Sequence, residues 1–257
     1  MALPTLFVAH GAPTLAVEDS AYARFLRRLG EELERPRALV VLTAHWLHPT
    51  QQVSGAAQHR LLYDFFGFPE ELYRLTYPAK GDPELARAIA NRLAQEGIPC
   101  SLDAERGLDH GVWVPLSLLY PRADIPVVAL SVNPSLPPEV QYRIGRALAF
   151  LRAEGVLVIG SGGTVHNLRA LDWAAAEAEA WAVQFDDWLA GTLSAWDLPS
   201  LFRYKELAPH AERAVPTMEH FVPLLVAMGA ADDARRAVRL YQTYTYGSLS
   251  LNCWRFG

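Results

Sequence analysis

Val156–Asn167, VLVIGSGGTVHN, is the stretch whose reading decides the fold. Val156–Ile159 is an unbroken apolar run, β-branched at three of its four positions. Such a run suits a strand buried on both faces, as in a parallel sheet. Gly160, Ser161, Gly162 and Gly163 are expected to end it, because glycine tolerates sharp or left-handed turns and close approach of another backbone. His166 follows just past the turn. Ligands of open α/β sheets bind beyond the carboxyl ends of the strands, so a histidine at that place is a candidate functional residue.

The same pattern recurs on either side. Thr5–Ala9 is a short apolar run leading into His10-Gly11, and Ala38–Thr43 (ALVVLT) leads into Ala44-His45-Trp46. Ile125–Val132 reads as a further buried strand, with Gln51–Ala57 and Pro99–Asp103 as short additions. Between these lie helical patterns. Asp19 or Ser20 caps a segment with Tyr22, Phe25, Leu26, Leu29 and Leu33 on one face, broken by Pro36. Asp82-Pro83-Glu84 starts a helix to about Gln95. Further helices are predicted over Val112–Tyr120, from Pro137-Pro138 to about Ala153, over Trp173–Ser194 behind an Asp172 cap, and from Pro216-Thr217 through His220 to about Met228. His59–Tyr77 is a long aromatic loop with a short helix near Pro69–Leu75, and Leu198–Val215 is irregular. Val238–Tyr246 and Ser248–Cys253 read as terminal strands. Alternation of strands and helices predicts an α/β fold: one layered domain over residues 1–257, with a mainly parallel central sheet flanked by helices and antiparallel additions near the C-terminus.

Composition narrows the function classes. The 257 residues are 51% hydrophobic and 20% charged, enough for a large core without staples. Net charge is −5 and lysine occurs only at Lys80 and Lys205, so no basic footprint for nucleic acid is present. No apolar run approaches the roughly 20 residues that span a bilayer, and MALPTLFVAH lacks the charged start and long apolar segment of a signal peptide. Cys100 and Cys253 match no metal spacing and are expected to be reduced core thiols of a cytoplasmic protein. The glycines at 160–163 lack the Lys-Ser/Thr ending of a phosphate loop, and Ser161 does not sit in a GxSxG elbow.

Of the eight histidines, His10, His45 and His166 lie at or just past strand ends, His110 sits at a loop-to-helix junction, and His220 is near a helix start. His48, His59 and His210 lie in polar or irregular surroundings and are expected at the surface. Any one of these imidazoles alone is an ordinary hydrogen-bonded loop residue. Several gathered at one rim of a sheet are another matter, because buried polar groups need partners. A metal ion supplies one, and imidazole suits zinc, iron, copper and nickel.

The chain resembles the class III extradiol ring-cleavage dioxygenases, in the 4,5-DOPA extradiol dioxygenase branch. The carrying stretches are HGAPTLAVED at His10, VVLTAHW at His45, YDFFGFPEELYRLTYPA at Tyr63–Ala79, GLDHGVW at His110, SGGTVHNL at His166, PTMEHFVPLL at His220 and the closing YGSLSLNCWRFG. The resemblance implies that His10, His45 and His220 ligate one metal, with His166 as a further ligand or as the active-site acid/base. It implies that His110 contacts substrate or oxygen. The expected metal is Fe(II), with Zn(II) able to occupy the same site, and the implied reactants are a catechol and O2. Two departures stand out. Tyr63 occupies a position where the family often has histidine, and the wider class uses a glutamate ligand where this chain offers Glu219 beside the better-matching His220. Two other readings use the same ligands: a zinc-dependent hydrolase, and a non-catalytic metal-binding relative on the same fold.

Overall fold

The computed structural model describes residues 2–257. Its eight strands are β1 (Thr5–Ala9), β2 (Ala38–Leu47), β3 (Gln51–Ser54), β4 (Cys100–Asp103), β5 (Val127–Val132), β6 (Val156–Gly162), β7 (Ala237–Thr245) and β8 (Leu249–Phe256). They form one sheet in the order β4-β3-β5-β2-β6-β1-β8-β7. The middle four, β5-β2-β6-β1, are parallel, and β8 and β7 extend the sheet by antiparallel pairing. This is the expected fold class. An antiparallel bridge of β3 to β5 at the other edge was not expected.

The apolar runs become central strands because both faces are covered. Leu6, Val8, Leu39, Val41, Leu157 and Ile159 point to a layer with α1 (Ala21–Glu32) and α3 (His110–Leu119). Phe7, Val40, Leu42, Val156 and Val158 point to the other layer, built from α2 (Pro83–Gln95), α4 (Pro138–Leu148), α5 (Ala180–Ser194) and α6 (Val222–Gly229). Full burial of each such side chain contributes about 1.5–3 kcal/mol. None of the helices among the described residues is long and apolar enough to cross a membrane.

Several boundaries differ from the sequence reading. Gly160 and Gly162 do not turn the chain: they lie inside β6 and neither has a positive φ. Their function is close approach. A Cβ on Gly160 would lie 2.2 Å from the Pro223 carbonyl oxygen, and one on Gly162 only 2.1 Å from that of His220. β2 runs on to Leu47, so His45 is inside the strand and not beyond it. β3 stops at Ser54, not Ala57.

The helix expected over Trp173–Ser194 begins only at Ala180. Residues 172–179 are held instead by the β7–β8 turn, where Asp172 N–H donates to the Tyr246 carbonyl at 3.1 Å and Glu179 N–H to that of Gly247 at 2.7 Å. The helix expected from Pro216 begins at Val222, because Pro223 has no N–H to continue the ladder backward to Glu219. The helix expected to Ala153 is broken into Pro138–Leu148 and Phe150–Ala153. Leu198–Val215 contains three short helices, Leu198–Phe202, Tyr204–Leu207 and Ala211–Ala214, where irregular chain was expected. Both cysteines are unpaired, but only Cys253 is a core residue; Cys100 is half-buried on edge strand β4.

Candidate metal centre

Four imidazoles meet at the carboxyl ends of β1, β2 and β6. His10 follows β1, His45 lies near the end of β2, His110 opens α3, and His220 sits in the turn that rests on Gly162. Ring centroids of His10, His45 and His220 are 4.8, 5.0 and 5.3 Å apart pairwise. His110 lies 4.0 Å from His45 and 5.4 Å from His10. His166 stands one ring further out, stacked on His220 at 3.5 Å with the planes 8° apart.

Hydrogen bonds settle which nitrogen of His10 and of His220 faces inward. The chain of cause for His10 starts at Pro115 inside α3. Proline gives no N–H to the carbonyl four residues back, which leaves the Gly111 oxygen to accept the Ser161 hydroxyl proton. Having spent its only proton, Ser161 Oγ must accept from His10 Nδ1–H, 3.0 Å away. His10 Nε2 is therefore a bare lone pair. His220 Nδ1–H donates to Glu219 Oε1 at 3.2 Å, and His220 Nε2 is buried with no hydrogen-bond partner. The Nε2 atoms of His10 and His45 lie 3.0 Å apart, a separation that two nitrogens adopt when each binds one ion at about 2.0–2.1 Å. Inward lone pairs with one buried orphan among them fit a metal ion. The outer hydrogen bonds are the kind that orient metal-ligating histidines.

Burial and mutual repulsion hold His10, His45 and His166 unprotonated. Burial, then the neighbouring His45 and His220, pushes His10 well below the ordinary imidazole range. Burial and His110 take His45 down to about 2, and burial and His220 take His166 to about 3. Two carboxylates border the cluster. Burial pushes Glu219 up, but hydrogen bonds from His220, its own backbone and Thr217 outweigh it and bring it to about 2. Asp64 behaves likewise: burial raises it, and hydrogen bonds from His110 bring it to about 2. Neutral nitrogens inside and negative oxygens outside favour a cation at the centre.

The cluster floors a cavity of about 460 Å³ whose walls include Phe65, Phe68, Leu168, Trp173 and Tyr246. A catechol-sized ring fits with room for a substituent. A cavity of about 430 Å³ at the C-terminal ends of α1 and α3, bordered by Arg27, Leu119 and Asp124, holds no histidine. The aromatic loop divides: Phe65 and Phe68 form wall, whereas Tyr77 is core and donates to the Tyr120 carbonyl. Tyr63 does not line the cavity; its hydroxyl closes its own loop on the Leu75 carbonyl at 2.7 Å. Of the histidines expected at the surface, His210 is exposed, but His48 and His59 are half-buried, and His59 Nε2 bonds the Val127 carbonyl at 2.9 Å.

Sequence reasoning missed Ser161 and Asp64. Ser161 was visible only as a failed nucleophile elbow, and no local pattern marks its contact with Gly111, fifty residues away. The expected result of Ser161→Ala is a folded protein whose metal affinity falls about 10–100-fold, the usual cost of losing an outer partner of a ligating histidine. Competition against a chelator measures it; unchanged affinity would remove Ser161 from the orientation of His10.

Comparison with known proteins bears on the family of the chain. Residues 4–252 match the family described as the catalytic LigB subunit of aromatic ring-opening dioxygenase. The chain is 40% identical over 256 residues to the 4,5-DOPA dioxygenase extradiol of Beta vulgaris, covering 98% of this chain and 96% of that protein. It is 38% identical to the protein of the same name from Escherichia coli strain K12, covering 97% and 93%. An uncharacterised Escherichia coli K12 protein of known crystal structure superposes with a TM-score of 0.85 at 35% identity, covering 99% of this chain and all of that one.

Proposed function

The chain belongs to the LigB family of aromatic ring-opening dioxygenases and is an extradiol ring-cleavage enzyme; we propose that it opens DOPA or a related substituted catechol where His10, His45 and His220 hold one Fe(II). The observation that carries this reading is the 3.0 Å approach of the His10 and His45 Nε2 atoms, with the ring of His220, whose Nε2 is buried and partnerless, centred 5.3 and 5.0 Å from theirs. A ferrous ion held by those residues would supply Lewis-acidic, redox-active chemistry for a catechol and O2. Zn(II) suits the same nitrogens but has no redox chemistry, so zinc-loaded protein binds catechol without turnover.

The remaining residues act around that centre. His166 is assigned to acid/base work and not to ligation. Its ring stacks on that of His220, 3.5 Å away with the planes 8° apart, which places it beside the proposed ligand set and facing the cavity. His110, on the opposite side of His45, is assigned the second proton-handling position. Each ring offers a nitrogen that can take and return a catechol proton. Phe65, Phe68 and Trp173 shield the ring from bulk water. Both atoms of O2 enter the product, a muconic-semialdehyde type of acid-aldehyde, with no external reductant. We read the described residues as one catalytic unit, because all eight strands share one sheet, and the free thiols suit a cytoplasmic setting.

The test is oxygen uptake by Fe(II)-loaded protein across a panel of catechols. The expected result is stoichiometric O2 consumption with a yellow product. Absence of uptake, with ester or amide cleavage by the zinc form, would replace this reading with a hydrolase.

A further inference from the structure

We infer that Asp64 is a positioning residue that fixes His110 as its Nδ1–H tautomer, so that a lone pair on Nε2, and not an N–H, faces the reacting catechol. This rests on the dioxygenase reading for its catalytic meaning, though not for its geometry. One carboxylate grips His110 twice: Oδ1 accepts the backbone N–H at 2.9 Å and Oδ2 accepts Nδ1–H at 3.0 Å. The same Oδ2 lies 3.7 Å from Nδ1 of His45. The backbone bond matters as much as the ring bond. His110 is the first residue of α3, whose preceding Asp109 provides no side-chain cap, so Asp64 caps the helix from 46 residues away and thereby commits its second oxygen to the ring.

Asp64 has no freedom to do otherwise. Leu62, two residues before it, is held from both sides: its N–H donates to the Leu108 carbonyl at 2.7 Å and its carbonyl accepts from Trp113 Nε1 at 3.2 Å. On the other side Phe65 packs against Trp113 and edge-on to His110, and its carbonyl accepts the Tyr73 hydroxyl. Among the described residues no arginine or lysine pairs with Asp64; its charged-group contacts are the two histidines. The aromatic loop thus delivers a carboxylate to the back of His110 and a phenyl wall to its side in one piece of chain. With Nδ1–H committed to an acceptor that cannot donate, Nε2 of the neutral ring is an acceptor. A catechol hydroxyl entering the cavity meets a base.

The substitution Asp64→Asn separates this role from a structural one. The backbone N–H of residue 110 still requires an oxygen, so the amide oxygen faces it and the amide NH2 faces Nδ1. That nitrogen must then accept, and the proton moves to Nε2. Long-range ¹H–¹⁵N spectra of zinc-loaded, ¹⁵N-labelled protein read the tautomer directly, with His110 identified by its loss in H110A. The expected result is a protonated Nδ1 in the native protein and in D64E, and a protonated Nε2 in D64N at unchanged zinc content. In the Fe(II) form, kcat of D64N is expected to fall about 10–100-fold with little change in KM. A native His110 protonated on Nε2, or a D64N protein that keeps the native tautomer, overturns the proposal. If D64N does not fold, the native and D64E spectra decide. Failure of the dioxygenase reading would show separately, as no oxygen uptake by the native enzyme.

Discussion

Replacing His45 by alanine is expected to abolish stable metal binding and turnover while leaving the fold in place. His45 contributes one of the two Nε2 atoms that face each other at 3.0 Å, so its loss leaves His10 and His220 alone. The fall in affinity should exceed the roughly 10–100-fold that follows loss of an outer partner. The fold should tolerate it because the metal-free site is not a source of stability. The His10 and His45 rings meet there only through one Nε2–Nε2 contact of 3.0 Å, and His45 is half-buried and held neutral chiefly by desolvation. Metal binding to the folded state raises the melting temperature of the native protein by mass action. In H45A that rise should vanish, with the metal-free melting temperature near that of metal-free native protein. One metal equivalent per chain at near-native affinity in H45A would refute the ligand set.

That prediction was accessible from the residues alone because His45 and His10 sit at the ends of runs whose burial is plain. ALVVLT and TLFVA have no polar face, so they must be central strands, and a central strand has a known functional end. Legibility fails where long-range contacts overrule local preference. Residues 173–179 are rich in alanine and read as helix, but backbone bonds to the turn at Tyr246 and Gly247 hold them otherwise. The glycines at 160 and 162 read as a turn, because close packing by Pro223 and His220, some sixty residues on, leaves no local trace. His166 was rightly put past β6, yet its stacking on His220 depends on the path of a different segment. Asp64 was hidden for the same reason. A lone aspartate in an aromatic loop is an unremarkable solvated residue until the loop folds back onto α3.

His110→Ala is expected to separate chemistry from metal binding. The ring lies beside His45 and lines the cavity, and the proposed ligand set of His10, His45 and His220 does not include it. Removing it leaves Asp64 Oδ1 free to accept the same backbone N–H, so α3 keeps its cap and the strand-end histidines keep their places. Metal content should therefore match the native protein. Turnover should not, because a catechol that loses two protons on its way to the product needs acceptors, and a positioned base of this kind contributes about 10²–10⁴-fold. The loss should fall on kcat, with KM changing less, since the apolar wall of Phe65 and Phe68 still holds the ring. H110Q sharpens the test: it keeps a polar, hydrogen-bonding side chain of similar reach but has no basic nitrogen, and it should be as slow as H110A. A kcat within twofold of native in either variant would remove His110 from the reaction and leave proton transfer to His166 alone.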